Sequence, residues 1–139
     1  MGLINSVLFS DRTPALLKRS LDLNAQKASV HAANIANAET PGFKASRFEF
    51  ESVLRGAVDG SAMPLKATHA GHFGAPMQDI KGIQGVTDVD LTRGRIDGNN
   101  VDMEKEVTAF SETQMAYDAA ITAMNKRGSI IKSAITDVR

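Results

Sequence analysis

Apolar residues recur at helical spacing in two separate parts of the chain. In the first, about residues 10–38, Leu17, Leu21, Ala25, Ala28, Ala32 and Ile35 follow one another at intervals of three and four. That spacing puts them on one stripe of a helix. Ser10 or Asp11 can cap its start, and Pro14 falls at an early position that tolerates proline. The stripe tapers from leucine to alanine, so the helix narrows toward its C-terminal end and lets a neighbour come close there. In the second part, about residues 100–138, Val107, Phe110, Gln114, Tyr117, Ile121, Met124, Gly128, Ile131, Ile135 and Val138 hold a heptad seam. Only Gln114 and Gly128 depart from it. Asn100 or Asp102 is the expected N-cap. Asp102, Glu104 and Glu106 open this helix and Lys126, Arg127, Lys132 and Arg139 close it, as the helix dipole favours. A helix of that length runs on the order of 50 Å and needs a partner along it.

Between the two lies a segment of different character. Phe50, Val53, Leu54 and Ala57 can share one face of a short helix, while Phe48 and Phe50 alternate as a strand would. Glycines then recur at 60, 71, 74, 82, 85, 94 and 98, with Pro64 and Pro76 among them, which disfavours helix. "GVTDVDLTRGRI" alternates well enough for one or two strands, with Arg93-Gly94 or Asp97-Gly98 as turns. The expected fold is mainly α. Two long terminal helices pack as an antiparallel coiled coil, with a central segment of loop and short β-strand. Residues 1–44 and 100–139 together form one core domain, and residues 45–99 connect them. In that arrangement Leu16, Leu23, Val30 and Ile130 are apolar flanks for neighbouring molecules to cover. The ends of an isolated chain are then expected to order only on assembly.

Composition narrows the function. The chain has 139 residues, 16 basic against 16 acidic, no cysteine and no tryptophan. Neutrality gives no electrostatic case for nucleic acid as a partner. Absence of cysteine excludes disulfides and thiolate metal sites. No apolar run is long enough to span a bilayer. The N-terminal "MGLINSVLFSDRTP" lacks the basic lead and the cleavage site of a secretory signal and is read as uncleaved, although Gly2 and Ser6 fit a myristoylation pattern. His69 and His72 have a spacing that could serve zinc, but glycine lies between them and no third ligand follows at recognisable spacing. The acidic "DVDLTRGRIDGNNVDMEKE" misses the calcium-loop register. No serine has a base and acid at motif spacing, and no phosphate-binding loop is present. No catalytic residue, cofactor site or metal site is assigned.

"HAANIANAETPGFK" is the most unusual stretch. Asn34 and Asn37 lie one turn apart on a helix thinned by Ala33, Ala36 and Ala38. Thr40 precedes Pro41, which ends the helix, and Pro41-Gly42 suits a type II turn that presents Phe43 beside the helix end. "ANIANAETPGFK" resembles the N-terminal signature of flagellar rod and hook proteins, the axial proteins of the bacterial flagellum. The resemblance rests on Asn34, Ile35, Ala36, Asn37, Thr40, Pro41, Gly42 and Phe43, the last where tyrosine is frequent in the family. Gly98, Asn99, Asn100, Val101 and Asp102 are similar to a Gly-Asn-Asn-Val-Asp run of a short proximal rod protein; a sister proximal rod protein shares the first motif but not this run.

The resemblance implies a structural subunit of the proximal rod that transmits torque. Both motifs would serve as assembly contacts. Leu17, Leu21, Ala28, Ile35, Val107, Phe110, Tyr117, Ile121, Met124, Ile131 and Ile135 would form the helix-packing seam. It also implies self-association in a helical rod and partners among the other rod proteins, the rod-base adaptor and the MS-ring protein. Nucleic acid and direct membrane insertion have no part in it. The location implied is the periplasmic rod of the basal body, reached through the flagellar type III system without a cleaved signal. The competing reading is a soluble coiled-coil adaptor or export chaperone that binds a partner helix. If the histidines hold no metal, His69→Ala combined with His72→Ala leaves motility unchanged, and elemental analysis finds no stoichiometric zinc in the purified chain.

Overall fold

A computed structural model describes residues 12–59, 80–92 and 94–136, with the backbone alone for 57–59. Ser10, Asp11, His69, His72 and Val138, singled out above, lie outside the described residues. The elements in order are α1 (Thr13–Ala36), β1 (Ser46–Glu49), α2 (Glu51–Asp59), a 3-10 turn (Ile80–Gly82), β2 (Val86–Val89) and α3 (Met103–Thr136). Proline in the first turn opens α1, and Asn37 ends it, with its amide 3.2 Å from the carbonyls of both Ala33 and Asn34. The strands β1 and β2 pair antiparallel, Ser46 opposite Val89 and Glu49 opposite Val86.

The two long helices pack on each other. They run antiparallel: His31 meets Glu106, while Asn24, Ala25 and Ala28 lie across a shallow notch from Thr113, Gln114 and Tyr117. Their contact is rotated from the expected seam. The most enclosed residues of α3 are Thr113 and Ala120, with Phe110, Tyr117, Ile121 and Ile131 half-buried. Val107, Met124 and Ile135 instead stay 46%, 45% and 66% exposed. Small and polar side chains meet where the helices are most enclosed, with Thr113 across from Asn24 and Ala28. The polar groups facing inward are satisfied locally, Thr113 Oγ1 donating to the Ala109 carbonyl (2.8 Å) and Asn24 Nδ2 to the Ser20 carbonyl (2.8 Å). On α1, Leu17, Leu21, Ala28 and Ile35 are half-buried.

The larger core lies on the other side of α1, and this corrects one expectation. Leu23 is fully buried with Phe48, Phe50, Ile80 and Ile83, and Leu16 and Val30 pack against the cluster. Leu23 is thus enclosed and Leu16 and Val30 are half-buried within the chain itself rather than left as open flanks. The central segment covers them, because strand geometry turns Phe48 inward and Phe50 follows on the same side. The two rings are 6.0 Å apart and tilted 46°. Gly85 lets the sheet close over them: a Cβ there would sit 2.0 Å from Phe48 Cζ. The Arg19 guanidinium bonds the Ile83 carbonyl, tying the 3-10 turn to α1. Only Ile130, 62% exposed, fits the expectation of an uncovered flank. α1 is thus the middle layer, between α3 and the sheet. Leu23→Ala should lower the stability of the folded chain by about 2–5 kcal/mol, read as a fall in the urea midpoint. A change below ~0.5 kcal/mol would mean that this core does not hold α1.

Candidate functional site

The two conspicuous sequence motifs meet at one end of the helix pair. The last carbonyls of α1 are met locally by the Asn37 and Ala38 amides, and the turn that follows carries further carbonyls. Asn99, which has no exposed surface, adds a donor to these. Its Nδ2 donates to the carbonyls of Asn37 (2.9 Å), Ala38 (3.1 Å) and Thr40 (2.9 Å). Its Oδ1 accepts the Val101 amide at 2.7 Å, so the same side chain shapes the lead into α3. Asn100 extends the connection: its Oδ1 accepts the Ala45 amide (2.7 Å) and its Nδ2 donates to the Asp90 carbonyl (2.7 Å).

Asn34, also without exposed surface, pairs its side-chain amide with one peptide group. Nδ2 donates to the Ser46 carbonyl at 2.7 Å and Oδ1 accepts the Ser46 amide at 2.9 Å. This pair fixes the start of β1 to α1. Asn37 points elsewhere. Its Nδ2 donates back to the Ala33 carbonyl (2.8 Å), and its Oδ1 accepts the Thr40 hydroxyl (3.2 Å). The two amides therefore do different work, one tertiary and one local.

Thr40 to Phe43 form the type II turn, with the Phe43 amide bonded to the Thr40 carbonyl (3.2 Å) and Gly42 at φ +74°. Gly98 also has positive φ, +82°. The two glycines face each other: a Cβ on Gly98 would lie 3.5 Å from Gly42 Cα, and the Gly42 amide donates to the Asp97 carbonyl at 2.9 Å. Pro41 and Ala36 are exposed, and Ile35 is half-buried. Below the polar layer Ala38, Ala45 and Val101 form a small buried cluster with Phe43 half-buried against it. Asp102 caps α3, accepting the Lys105 amide (3.3 Å) and pairing with its ammonium (2.9 Å).

Three participants had no signal in their own residue pattern. The peptide of Ser46 answers Asn34 through backbone alone. Asp90 receives the Thr92 amide on Oδ1 (2.9 Å) and the Arg47 guanidinium on Oδ2. His31 Nδ1 lies 2.7 Å from Glu106 Oε2 across the helix pair, both side chains mostly buried. The hydrogen bonds at Thr92, then the Arg47 charge, hold the Asp90 carboxyl below its ordinary value of 3.8. The Lys105 contacts do the same for Asp102. Among the described residues no group of three or more His, Asp or Glu could hold a metal ion, and no helix is long and apolar enough to cross a membrane.

A helix pair whose two sequence motifs are spent on its own connection has the build of a structural class of protein: the side-chain amides of Asn34, Asn99 and Asn100 are bonded to backbone. Comparison with known proteins gives the class its family. Residues 19–44 match the family model described as flagella basal body rod protein. The chain is similar to the flagellar basal body rod protein FlgB of Yersinia ruckeri, with 38% identity over 117 residues covering 77% of this chain and 81% of the relative. It is 33% identical to FlgB of Yersinia enterocolitica over 117 residues, with the same coverage. It is also 33% identical to FlgB of Salmonella typhimurium over 130 residues, 84% of this chain and 90% of the relative. The chain belongs to the flagellar basal body rod protein family.

Two predictions follow from the clasp geometry. Asn99→Asp keeps the acceptor for Val101 but turns a carboxylate toward three carbonyl oxygens. It should cost at least about 1–3 kcal/mol, the cost of one buried polar group left unpaired, because the Asn37 and Thr40 carbonyls keep the Thr40 and Phe43 amides while the Ala38 carbonyl loses its donor. Denaturant unfolding of both chains measures it. Asp90→Asn should be less stable than wild type at pH 7. A carboxyl with a lowered folded value contributes above its unfolded value and loses that contribution as pH falls through the folded one. The difference between the two chains should therefore shrink as pH drops below 3.8, and a constant difference would remove Asp90 from the network's electrostatics.

Proposed function

We propose that this chain is a non-enzymatic subunit of the proximal rod of the bacterial flagellar basal body. It assembles by helix packing and passes torque from the membrane ring toward the distal rod and hook. The observation that carries this reading is the joining of both family motifs in one clasp. Asn34 and Asn99, without exposed surface, fix α1, β1 and the entry to α3 as a unit. A torque-bearing subunit needs such a joint, because its two long helices must not slide or splay under load. The rod lies in the periplasm, and the chain reaches it unfolded through the flagellar type III channel. Its partners are further copies, the other rod proteins, the rod-base adaptor and the MS-ring protein. It takes no cofactor and binds neither nucleic acid nor the bilayer interior.

The test is a deletion strain examined by electron microscopy of isolated basal bodies. Membrane rings without a rod are expected, with the rod restored by the wild-type gene. A motile deletion strain with normal rods would overturn the reading. The clasp is tested in the same strain by Gly42→Val, which opposes the φ of +74° at that position. A β-branched residue there is strained, so export should persist while rods are lost. Normal motility in this variant would show that the turn is dispensable.

A further inference from the structure

We propose that the exposed turn at residues 95–98 of one copy of this chain inserts Ile96 into the notch between α1 and α3 of the next copy. Resting on the rod reading above, this contact is made by a turn and is separate from any packing of the long helices on one another.

The turn is a fixed projection. The Gly98 amide donates to the Arg95 carbonyl (2.9 Å), which closes the turn around Ile96 and Asp97. The Arg95 amide donates to the Asn99 carbonyl (2.7 Å), the Gly42 amide to the Asp97 carbonyl (2.9 Å) and the Asn99 amide to Asp97 Oδ1 (3.1 Å). Ile96 is nevertheless 109% exposed, more than any other large apolar residue among those described. Glycine, proline, asparagine, aspartate and serine are the residues that favour turns, so local structure does not account for a β-branched side chain there. Scattered exposed apolar residues are ordinary. One held at the tip of a hydrogen-bonded turn is a preformed anchor, because its backbone has little freedom left to lose when it is covered.

The receiving notch lies on a different part of the molecule. Asn24, Ala25 and Ala28 line it from α1, Thr113, Gln114 and Tyr117 line it from α3, and its volume is about 210 Å³. A cavity of roughly 150 Å³ holds a benzene-sized group, so one isoleucine side chain fits. Leu23 faces the sheet core, and Ala25 points about 200° away from it round α1. The notch therefore opens on the side that the sheet leaves uncovered. Ala25 and Ser29, one turn apart, are exposed on the α1 lip and are small enough for a turn to come down onto the helix. Gln114 and Asp118, one turn apart, are exposed on the α3 lip. Charge matches across the contact. Arg95, exposed beside Ile96, uses Nη2 for the Val101 carbonyl (3.2 Å) and keeps further donors for the Asp118 carboxylate.

The two halves select an open series of copies. Ile96 is held beside Gly42, beyond the end of α1, while Ala25 lies about 18 Å back along that helix from Asn37. A chain therefore cannot fill its own notch. Projection and notch are different surfaces, so their contact is heterologous: one end keeps a free projection, the other a free notch, and addition continues. A tip-to-tip or notch-to-notch pair would close on itself.

The test uses the full-length chain and two substitutions at exposed positions, Ile96→Asp to remove the anchor and Ala25→Phe to fill the notch. Both variants should keep the wild-type urea midpoint. In sedimentation, each alone should associate at least about tenfold more weakly than wild type, as for an anchor at the centre of a contact. Mixed, they should recover the wild-type affinity but stop at a one-to-one dimer, because Ala25→Phe still offers Ile96 and Ile96→Asp still offers the notch. Wild-type association of either variant alone would overturn the proposal, and so would a mixture that recovers nothing. A wild-type chain that stays monomeric at every soluble concentration would overturn it too. Normal rods in cells carrying Ile96→Asp would reject this contact and leave the rod reading standing, whereas normal rods in the deletion strain would reject the rod reading itself.

Discussion

Everything at the closed end of the molecule depends on one buried side chain at the turn beyond α1. Asn99 comes from 59 to 62 residues away in the chain and sets one amide over the carbonyls of Asn37, Ala38 and Thr40. The local cap, in which the Asn37 and Ala38 amides meet the carbonyls of Ala33, Asn34 and Ile35, ends the helix but connects nothing. Because Asn99 belongs to the lead into α3, shaping the turn after one long helix and placing the other become a single event. Asn34 makes the same kind of bond to Ser46 and adds the sheet to the unit. Buried amides bonded to backbone are specific in a way that apolar contacts are not. A slip of one residue leaves several groups unpaired, each at about 1–3 kcal/mol.

Much of this was legible in the sequence, for identifiable reasons. Long periodic stripes announced α1 and α3, and Thr-Pro-Gly announced the turn, since the proline and the positive φ of Gly42 are properties of those residues alone. That Asn34 and Asn99 were singled out is owed to motif likeness and to the oddity of amides among alanines. Their partners were hidden, because the groups they bind are peptide atoms at Ser46, Asn37, Ala38 and Thr40, which carry no side-chain signature.

The core was misjudged for a related reason. A central segment read as connecting loop and short strand left Leu16, Leu23 and Val30 for neighbouring molecules to cover. Yet Phe48 and Phe50, placed together by one short strand, suffice to bury Leu23 with Ile80 and Ile83. Counting large residues says how much apolar surface exists, not how it is concentrated. The seam of α3 shows the converse. Its heptads were read as one interface, but Thr113 and Ala120, off that stripe, are the most enclosed residues of α3, while Val107 on it stays exposed.

The unequal lengths of the two helices have a mechanical consequence. α3 runs from Met103 to Thr136 while α1 begins at Thr13. His31 beside Glu106 and Asn24 beside Thr113 place Thr13 level with about residue 124. The last turns of α3 therefore run past the first residue of α1, and Ile130 and Ile135 stay exposed there. At the other end the polar clasp and the Leu23 core hold α1 in register. A substitution in the clasp therefore moves both long helices, because Asn99 joins the turn after α1 to the lead into α3.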